Sequence, residues 1–321
     1  MKRMRAGFTA ILLAASFLLT GCQLTEKDAV QMYKDSFDKS REMEKYTMTA
    51  HMDMEMDFGG MSIGIVIDMD SAVADQGQTA SHKMNMTVMG QEESMEMYQQ
   101  GEHLYTSVPG TDKFIKQSYE ESTGMTYQGL MDLSYGPMAQ SYMDAIDKAE
   151  NLTFQRLDNK DVNVAFDFCQ ESLDSLAGEI SAILEDTMLG SMESQLKSQF
   201  SGLGLPEDQI QPLVDQMMEA YRSIFSNIGV DSIRMDLTMN KNGFVTKQNV
   251  DMVITMDMSG LLTALGQEVD AATAEMLKNI KMSMNIDSVI DNINGDVTVT
   301  VPEFTEENTV TAEEAATLSA A

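Results

Sequence analysis

Residues 46–58 read YTMTAHMDMEMDF, and this stretch decides the fold. Every even position is apolar: Tyr46, Met48, Ala50, Met52, Met54, Met56 and Phe58. Every odd position is polar: Thr47, Thr49, His51, Asp53, Glu55 and Asp57. Side chains alternate between the two faces of a strand, so the pattern describes a strand buried on one side and wet on the other. At about 3.3 Å per residue it spans roughly 40 Å, twice the usual strand length.

The same period continues outward. Gly59-Gly60 turns the chain into a strand carrying Met61, Ile63, Ile65, Ile67 and Met69 on one face. A turn at Asp75-Gln76-Gly77 leads to His82, Met84, Met86 and Val88. Shorter strands follow through Met95 and Met97, through Leu104 and Val108, and over Phe114-Ile115-Lys116. Short turns between successive strands describe an antiparallel meander, apolar on one side and acidic on the other.

The period changes in the middle. Residues 128–149 predict a helix broken at Gly136-Pro137, and a hairpin around Asp158-Asn159-Lys160 follows. Leu173 to Phe200 and Ile210 to Ile228 carry apolar stripes at three- and four-residue spacing, the mark of amphipathic helices. Alternation then returns at Ile233, Met235, Leu237 and Met239. Asn242-Gly243 predicts a type I′ turn into Val250, Met252, Ile254, Met256 and Met258. A helical insert over 261–277 precedes Ile280, Met282, Met284 and Ile286. Asn294-Gly295 predicts a last turn into Val297, Val299 and Val301. Strands at both ends with helices between them imply an α+β fold. In it a curved antiparallel sheet, an open half-barrel, has its concave face covered by amphipathic helices.

Ahead of the sheet, residues 23–45 read as a helix, with Thr25 and Asp28 as its capping box. Ahead of that, Lys2, Arg3 and Arg5 precede an apolar run from Phe8 to Leu19 that is too short for a comfortable membrane span. The run ends in Leu19-Thr20-Gly21-Cys22, which resembles the lipobox of bacterial lipoproteins. The resemblance implies cleavage before Cys22 and diacylglycerol on its thiol. The protein is then expected on the extracytoplasmic face of a cell membrane, held by a lipid anchor that several long acyl chains make stable. No cofactor is expected beyond that covalent lipid.

Composition narrows the partners. The chain holds 21 basic and 51 acidic residues, a net charge of −30 that reaches −33 once the three cations of residues 1–21 are removed. Such a surface has little with which to neutralise a polyanion, so nucleic acid is excluded, and the body is repelled from anionic lipid. With Cys22 acylated, Cys169 has no intrachain disulfide partner and reads as a small buried hydrophobe beside Phe166, Phe168 and Leu173. Catalysis finds no motif. His51, His82 and His103 all fall in strands, with no nucleophile elbow or phosphate loop present, and no enzyme is expected.

Several segments resemble the LolA/LolB/LppX-like superfamily of envelope lipoproteins and lipoprotein carriers. They are Met95-Glu96-Met97-Tyr98, Gly101, Leu104-Tyr105 and Lys113-Phe114-Ile115-Lys116, the hairpin with Asn242-Gly243 and Lys247, and Val299-Thr300-Val301-Pro302. Phe114 stands where that group commonly has tryptophan. The resemblance implies an open half-barrel able to hold a lipid or other apolar molecule, without enzymatic activity.

Of the 31 methionines, 29 follow the leader, and 18 of these lie on strand segments, chiefly on the apolar face. Three readings stay open for them: a packed core, an adaptable ligand wall, or thioether ligands for Cu(I) in Met-x-Met motifs. The expected ligand wall comprises Met52, Met54, Met56, Ile65, Ile67, Met84, Met86, Met235, Leu237, Met239, Met252 and Ile254. His51 sits on the opposite face from Met52, which weighs against copper. Asp291 to Asp296 is the nearest approach to a calcium loop and lacks the downstream bidentate Glu. The acidic face otherwise reads as solvated and as a deterrent to edge pairing.

The expected organisation is a leader over 1–21, an anchored segment and helix over 22–45, one half-barrel domain over 46–303 with central helices over 128–228, and an unstructured acidic tail over 304–321. The expected function is binding of a lipid or other hydrophobic ligand in the half-barrel cavity. The alternative is a structural or protein-interaction lipoprotein with a filled core. Protein partners and the ligand's identity are not encoded in these patterns.

Overall fold

The computed structural model describes residues 25–120, 126–129, 137–183, 189, 192–193, 196–197, 200, 206–259, 271–311 and 314–315. The leader and Cys22 lie outside them, as do parts of the predicted segments over 128–149, 173–200 and 261–277. Helix α1 (Glu26–Ser40) opens the described chain. Its Thr25 hydroxyl accepts from the Asp28 amide at 3.2 Å while the Asp28 carboxylate accepts from the Thr25 amide at 3.0 Å, the reciprocal capping box read from the sequence.

The strands are β1 (Tyr46–Asp57), β2 (Ser62–Ala74), β3 (Thr79–Val88), β4 (Gln91–Gln100), β5 (His103–Ser107) and β6 (Phe114–Ser118), then β7 (Glu150–Arg156) and β8 (Val162–Asp167). β9 (Gly229–Met239), β10 (Val245–Met256), β11 (Ile280–Asp291) and β12 (Thr309–Val310) complete them. All twelve form one sheet in the order β12-β6-β5-β4-β3-β2-β1-β11-β10-β9-β8-β7. Pairing is antiparallel except for β12, which runs parallel to β6. β1 sits between β2 and β11, so the two halves of the chain meet at β1 and one sheet is completed by both. The architecture is α+β, an open curved sheet with helices against its concave inner face.

The helices after α1 are α2 (Pro137–Asp147), α3 (Gln170–Ile183), α4 (Glu207–Ser226) and α5 (Ala271–Lys278). α1, α2 and α3 bury the inner face over β7 to β10, where Tyr33, Ile146, Phe166, Phe168, Leu173, Leu237 and Met239 make the main core. α4 turns its stripe elsewhere. Its Ile210, Val214 and Met218 pack with Leu189 in a second cluster, separate from the main core on the strands.

Three local expectations are corrected. Asn242-Gly243 does not form a two-residue type I′ turn: only Gly243 has positive φ, at 85°. Asn240 and Phe244 close a longer loop, in which the Asn240 side-chain oxygen accepts from the amides of Asn242 and Phe244. Val297 to Val301 is not a strand, because Asn294 is committed to another task. It adopts φ 54°, accepts from the Glu44 amide at 2.7 Å, and donates to the Glu42 carbonyl at 2.8 Å, fastening the chain after β11 to the segment before β1. Finally, residues 304–311 are not an unstructured tail. Phe304 stacks on Tyr105 with ring centres 3.7 Å apart and meets Phe114 edge-on, and Thr309-Val310 caps the edge of β6. An aromatic ring and a β-branched pair outweighed the acidic composition around them.

Candidate functional site

Cross-strand register places the methionines in rows across the inner face. One row runs Val88, Ile65, Met54, Met284, Met252, Ile233 from β3 to β9. The next runs Met86, Ile67, Met52, Ile286, Val250, Met235. Met84 and Met69 face Ala50 in a third, and Met56 meets Ile63 and Met282, with Ile254 beyond, in a fourth. The alternation read over 46–58 therefore holds: the even positions of β1 are half-buried and, from Thr49 on, the odd ones exposed.

The expected ligand wall divides into two parts. Met235, Leu237 and Met239 are 5%, 1% and 0% exposed and belong to the packed core under α1 to α3. They cannot line a cavity in this arrangement. The Tyr142 hydroxyl donates to the Met235 sulfur at 2.9 Å, and the Tyr33 hydroxyl, 2.6 Å from that of Tyr142, donates to it in turn. Burial pushes the Tyr33 phenol up to about 12 and Tyr142 well above its ordinary value, so both stay neutral donors. Met52, Met54, Met56, Ile65, Ile67, Met84, Met86, Met252 and Ile254 are instead half-buried, forming an apolar track that the main core does not close.

The track leads to a cavity of about 600 Å³ that the sequence reading had placed among other residues. Met48 and Ile290, paired on neighbouring strands, form its floor with Tyr46 beside them. Ser40 at the end of α1, with Arg41 and Met43 just beyond it, makes one wall; Gln76, Gly77 and Gln78 of the β2–β3 turn and Tyr127 with Gln128 make the other. Tyr127 donates to the Gln76 carbonyl at 2.6 Å across Gly77, whose φ of 92° and lack of a side chain let the ring approach. Half of this lining comes from turns, where alternation carries no signal. Only Tyr46 and Met48 were visible as apolar positions of the deciding strand.

The outer face is ordered differently. Along one row the register reads Asp236, Asn249, Asp287, His51, Asp68, Asn85, an acid alternating with a donor. Asn249 donates to Asp287 at 2.8 Å, and His51 Nδ1 lies 2.7 Å from Asp68. In the row beside it Asn285 donates to Asp251 at 2.6 Å. The Asp68 hydrogen bond holds the His51 imidazole above its usual range. His51 thus serves the acidic face and lies opposite the methionines, as expected. Among the described residues no group of three or more His, Cys, Asp or Glu is arranged to hold a metal ion. The side chains of Asn292 and Asn294 in the calcium-like loop are spent on Thr47, Glu42 and Glu44.

His82 lies on the inner face beside Met48, facing Ser71 at 2.8 Å, and burial lowers its pKa. Cys169 is partly buried with its sulfur 3.3 Å from the Ser172 hydroxyl. Among the described residues no helix is long and apolar enough to cross a membrane.

The sequence matches no protein-family model and no curated protein. Comparison of folds aligns the chain with LprF from Mycobacterium bovis at 11% identity and a TM-score of 0.38, over 87% of this chain and 98% of that one. A putative outer membrane lipoprotein-sorting protein domain from Vibrio parahaemolyticus aligns at 9% identity and a TM-score of 0.24, covering 87% and 96% of the two chains. A LolA superfamily protein from Nitrosomonas europaea aligns at 7% identity and a TM-score of 0.23, covering 87% and 98%.

Proposed function

We propose that this protein is an extracytoplasmic lipoprotein, anchored by diacylglycerol on Cys22, that holds a lipid or other hydrophobic molecule on the inner face of its sheet. One observation carries the reading: an apolar, methionine-rich track, which the described helices bury over β7 to β10, runs half-exposed across β1 to β3, β10 and β11 into a cavity of about 600 Å³. That volume lies within the range of small-molecule sites. Thioether side chains suit such a site because they are flexible and polarizable and adapt to ligands of varied shape. The polar side chains of Gln76 and Gln78 at the cavity suit a headgroup, while Met43, Met48 and Ile290 take the apolar part.

The experiment is titration with an apolar dye whose fluorescence rises on burial, using protein stripped of non-covalent lipid. Binding is expected at one site per chain, and Met48→Phe, which narrows the cavity, should weaken it several-fold while the melting temperature holds. Absence of binding, with Met48→Phe destabilising the fold, would instead support the filled-core alternative, for which the packed Met235, Leu237 and Met239 already speak. For the anchor, Cys22→Ala should abolish incorporation of labelled lipid and leave the protein unprocessed or released.

A further inference from the structure

The end of the sheet where β1 turns into β2 carries apolar side chains that the fold leaves in water. Met61 is 65% exposed at the β1–β2 turn and Met89 is 79% exposed at the β3–β4 turn. Ile65 faces Val88, so the second tip lies about three residues, roughly 10 Å, short of the first. Met276 of α5, 38% exposed, lies against Gly59 at the same end. The tips themselves, Phe58 to Met61 and Val88 to Gln91, contain no charge in a chain of net charge −30.

Met89 is also placed against local preference. The β3–β4 turn has two residues, Met89 at φ 51° and Gly90 at φ 80°. Such a turn favours Asn, Asp or Gly at its first position, because other side chains enter the left-handed region at a cost. An unbranched apolar residue held there, almost wholly exposed, gains nothing from the fold.

The direction of α1 identifies what meets this end. Lys39, near its C-terminus, lies beside Gly243 at the opposite end of the sheet. Tyr33 reaches Met235 through Tyr142, and Lys34 pairs with Asp147 at 2.6 Å, so the helix runs with its N-terminus toward the Met61 end. Thr25 lies about 12 Å further along than Tyr33 at 1.5 Å per residue. Met235 shares a row with Met52, five residues or about 17 Å from Asp57. Along the strand direction Thr25 therefore falls between the Met89 tip, about 10 Å from that row, and the Met61 tip, about 20 Å from it. Cys22 precedes it by three residues, a reach of about 10 Å at most.

We infer that this end of the sheet faces the bilayer and that Met61 and Met89 enter its interface, with the strands standing end-on to the membrane. The inference rests on the proposed anchor at Cys22, since a tether this short holds the tips at the lipid surface. Uncharged tips, with Asp57 and Glu92-Glu93 set just behind them, suit a zwitterionic surface better than an anionic one. The apolar track then opens toward the bilayer at Met56 and Met282 and reaches its cavity about 26 Å deeper, eight residues along β1.

The test uses the full lipidated protein in phosphatidylcholine vesicles, in a Cys169→Ser background, with an environment-sensitive dye on Met61→Cys, Met89→Cys or, as control, Asn242→Cys. Blue-shifted emission and quenching by a lipid-borne quencher at positions 61 and 89, but not at 242, is the expected result. Mass spectrometry of the N-terminal peptide separates the two ways of failing. Acylated Cys22 with all three dyes in water overturns this inference alone, whereas unacylated Cys22 with all three in water overturns it together with the anchor. Shielding of positions 61 and 89 without vesicles, growing with protein concentration, overturns it in favour of a second copy of the chain.

Discussion

His51 and His82 sit two strands apart on opposite faces, and their surroundings push them in opposite directions. The hydrogen bond that His51 donates to Asp68 favours charged His51, while burial beside Ser71 disfavours charged His82. His82 therefore withholds stability as pH falls below its ordinary 6.5, because the unfolded chain takes up the proton first. His51 adds stability below 6.5 and loses it as pH rises through its raised value; solvent screening keeps that contribution small. Imidazole resonances followed by NMR should show His82 titrating below 6.5 and His51 above it, and the reverse order would remove His82 from the inner face. His82→Gln should make denaturant stability less sensitive to acid as pH falls below about 6.5. A second residue-scale test concerns the main core. Leu237→Ala should cost about 2–5 kcal/mol, whereas Met54→Ala, on the half-open track, should cost clearly less, both read from chemical denaturation.

At the scale of elements, legibility followed periodicity. The alternation over 46–58 gave β1 to within a residue of its observed end, and the three-four spacing gave α3 and α4, because burial on one face imposes those periods whatever the neighbours are. Elements set by single side-chain contacts were not legible. Nothing in the period of residues 297–311 reveals that Asn294 fastens the chain to residues 42–44 or that Phe304 stacks on Tyr105. Phe304→Ala should accordingly lower stability by about 1–3 kcal/mol and expose the edge of β6 to self-association, detected by light scattering. The outer face had read simply as acidic and solvated. Its order, acid opposite donor across the strands, emerged only from the register. Asn249→Asp sets a third carboxylate between Asp236 and Asp287, and should destabilise by roughly 0.2–1 kcal/mol per opposed pair. Added salt should recover much of that loss; a salt-independent loss would mean the amide acts through packing instead.

For the whole molecule, the sequence led to the open α+β sheet and its apolar concave face but misjudged where that face is filled. Among the described residues the helices that build the main core lie over β7 to β10, so Met235, Leu237 and Met239 became core while Met52, Met54, Met56 and Met86 stayed half-exposed. Identical alternation precedes both outcomes, and only tertiary placement of the helices separates them. The same holds for the cavity, whose Met43 and Gln76 come from connecting segments and Tyr127 from a short helical stretch, all outside the strand alternation. The central claim is that this track and cavity hold a hydrophobic molecule. Native mass spectrometry of the full chain, purified from its own envelope in mild detergent, tests it most directly. The account predicts one lipid-sized adduct per chain beyond the covalent lipid of Cys22, released at raised collision energy and diminished in Met48→Phe. A spectrum showing the covalently modified chain alone, unchanged in Met48→Phe and after incubation with envelope lipid extract, would contradict it.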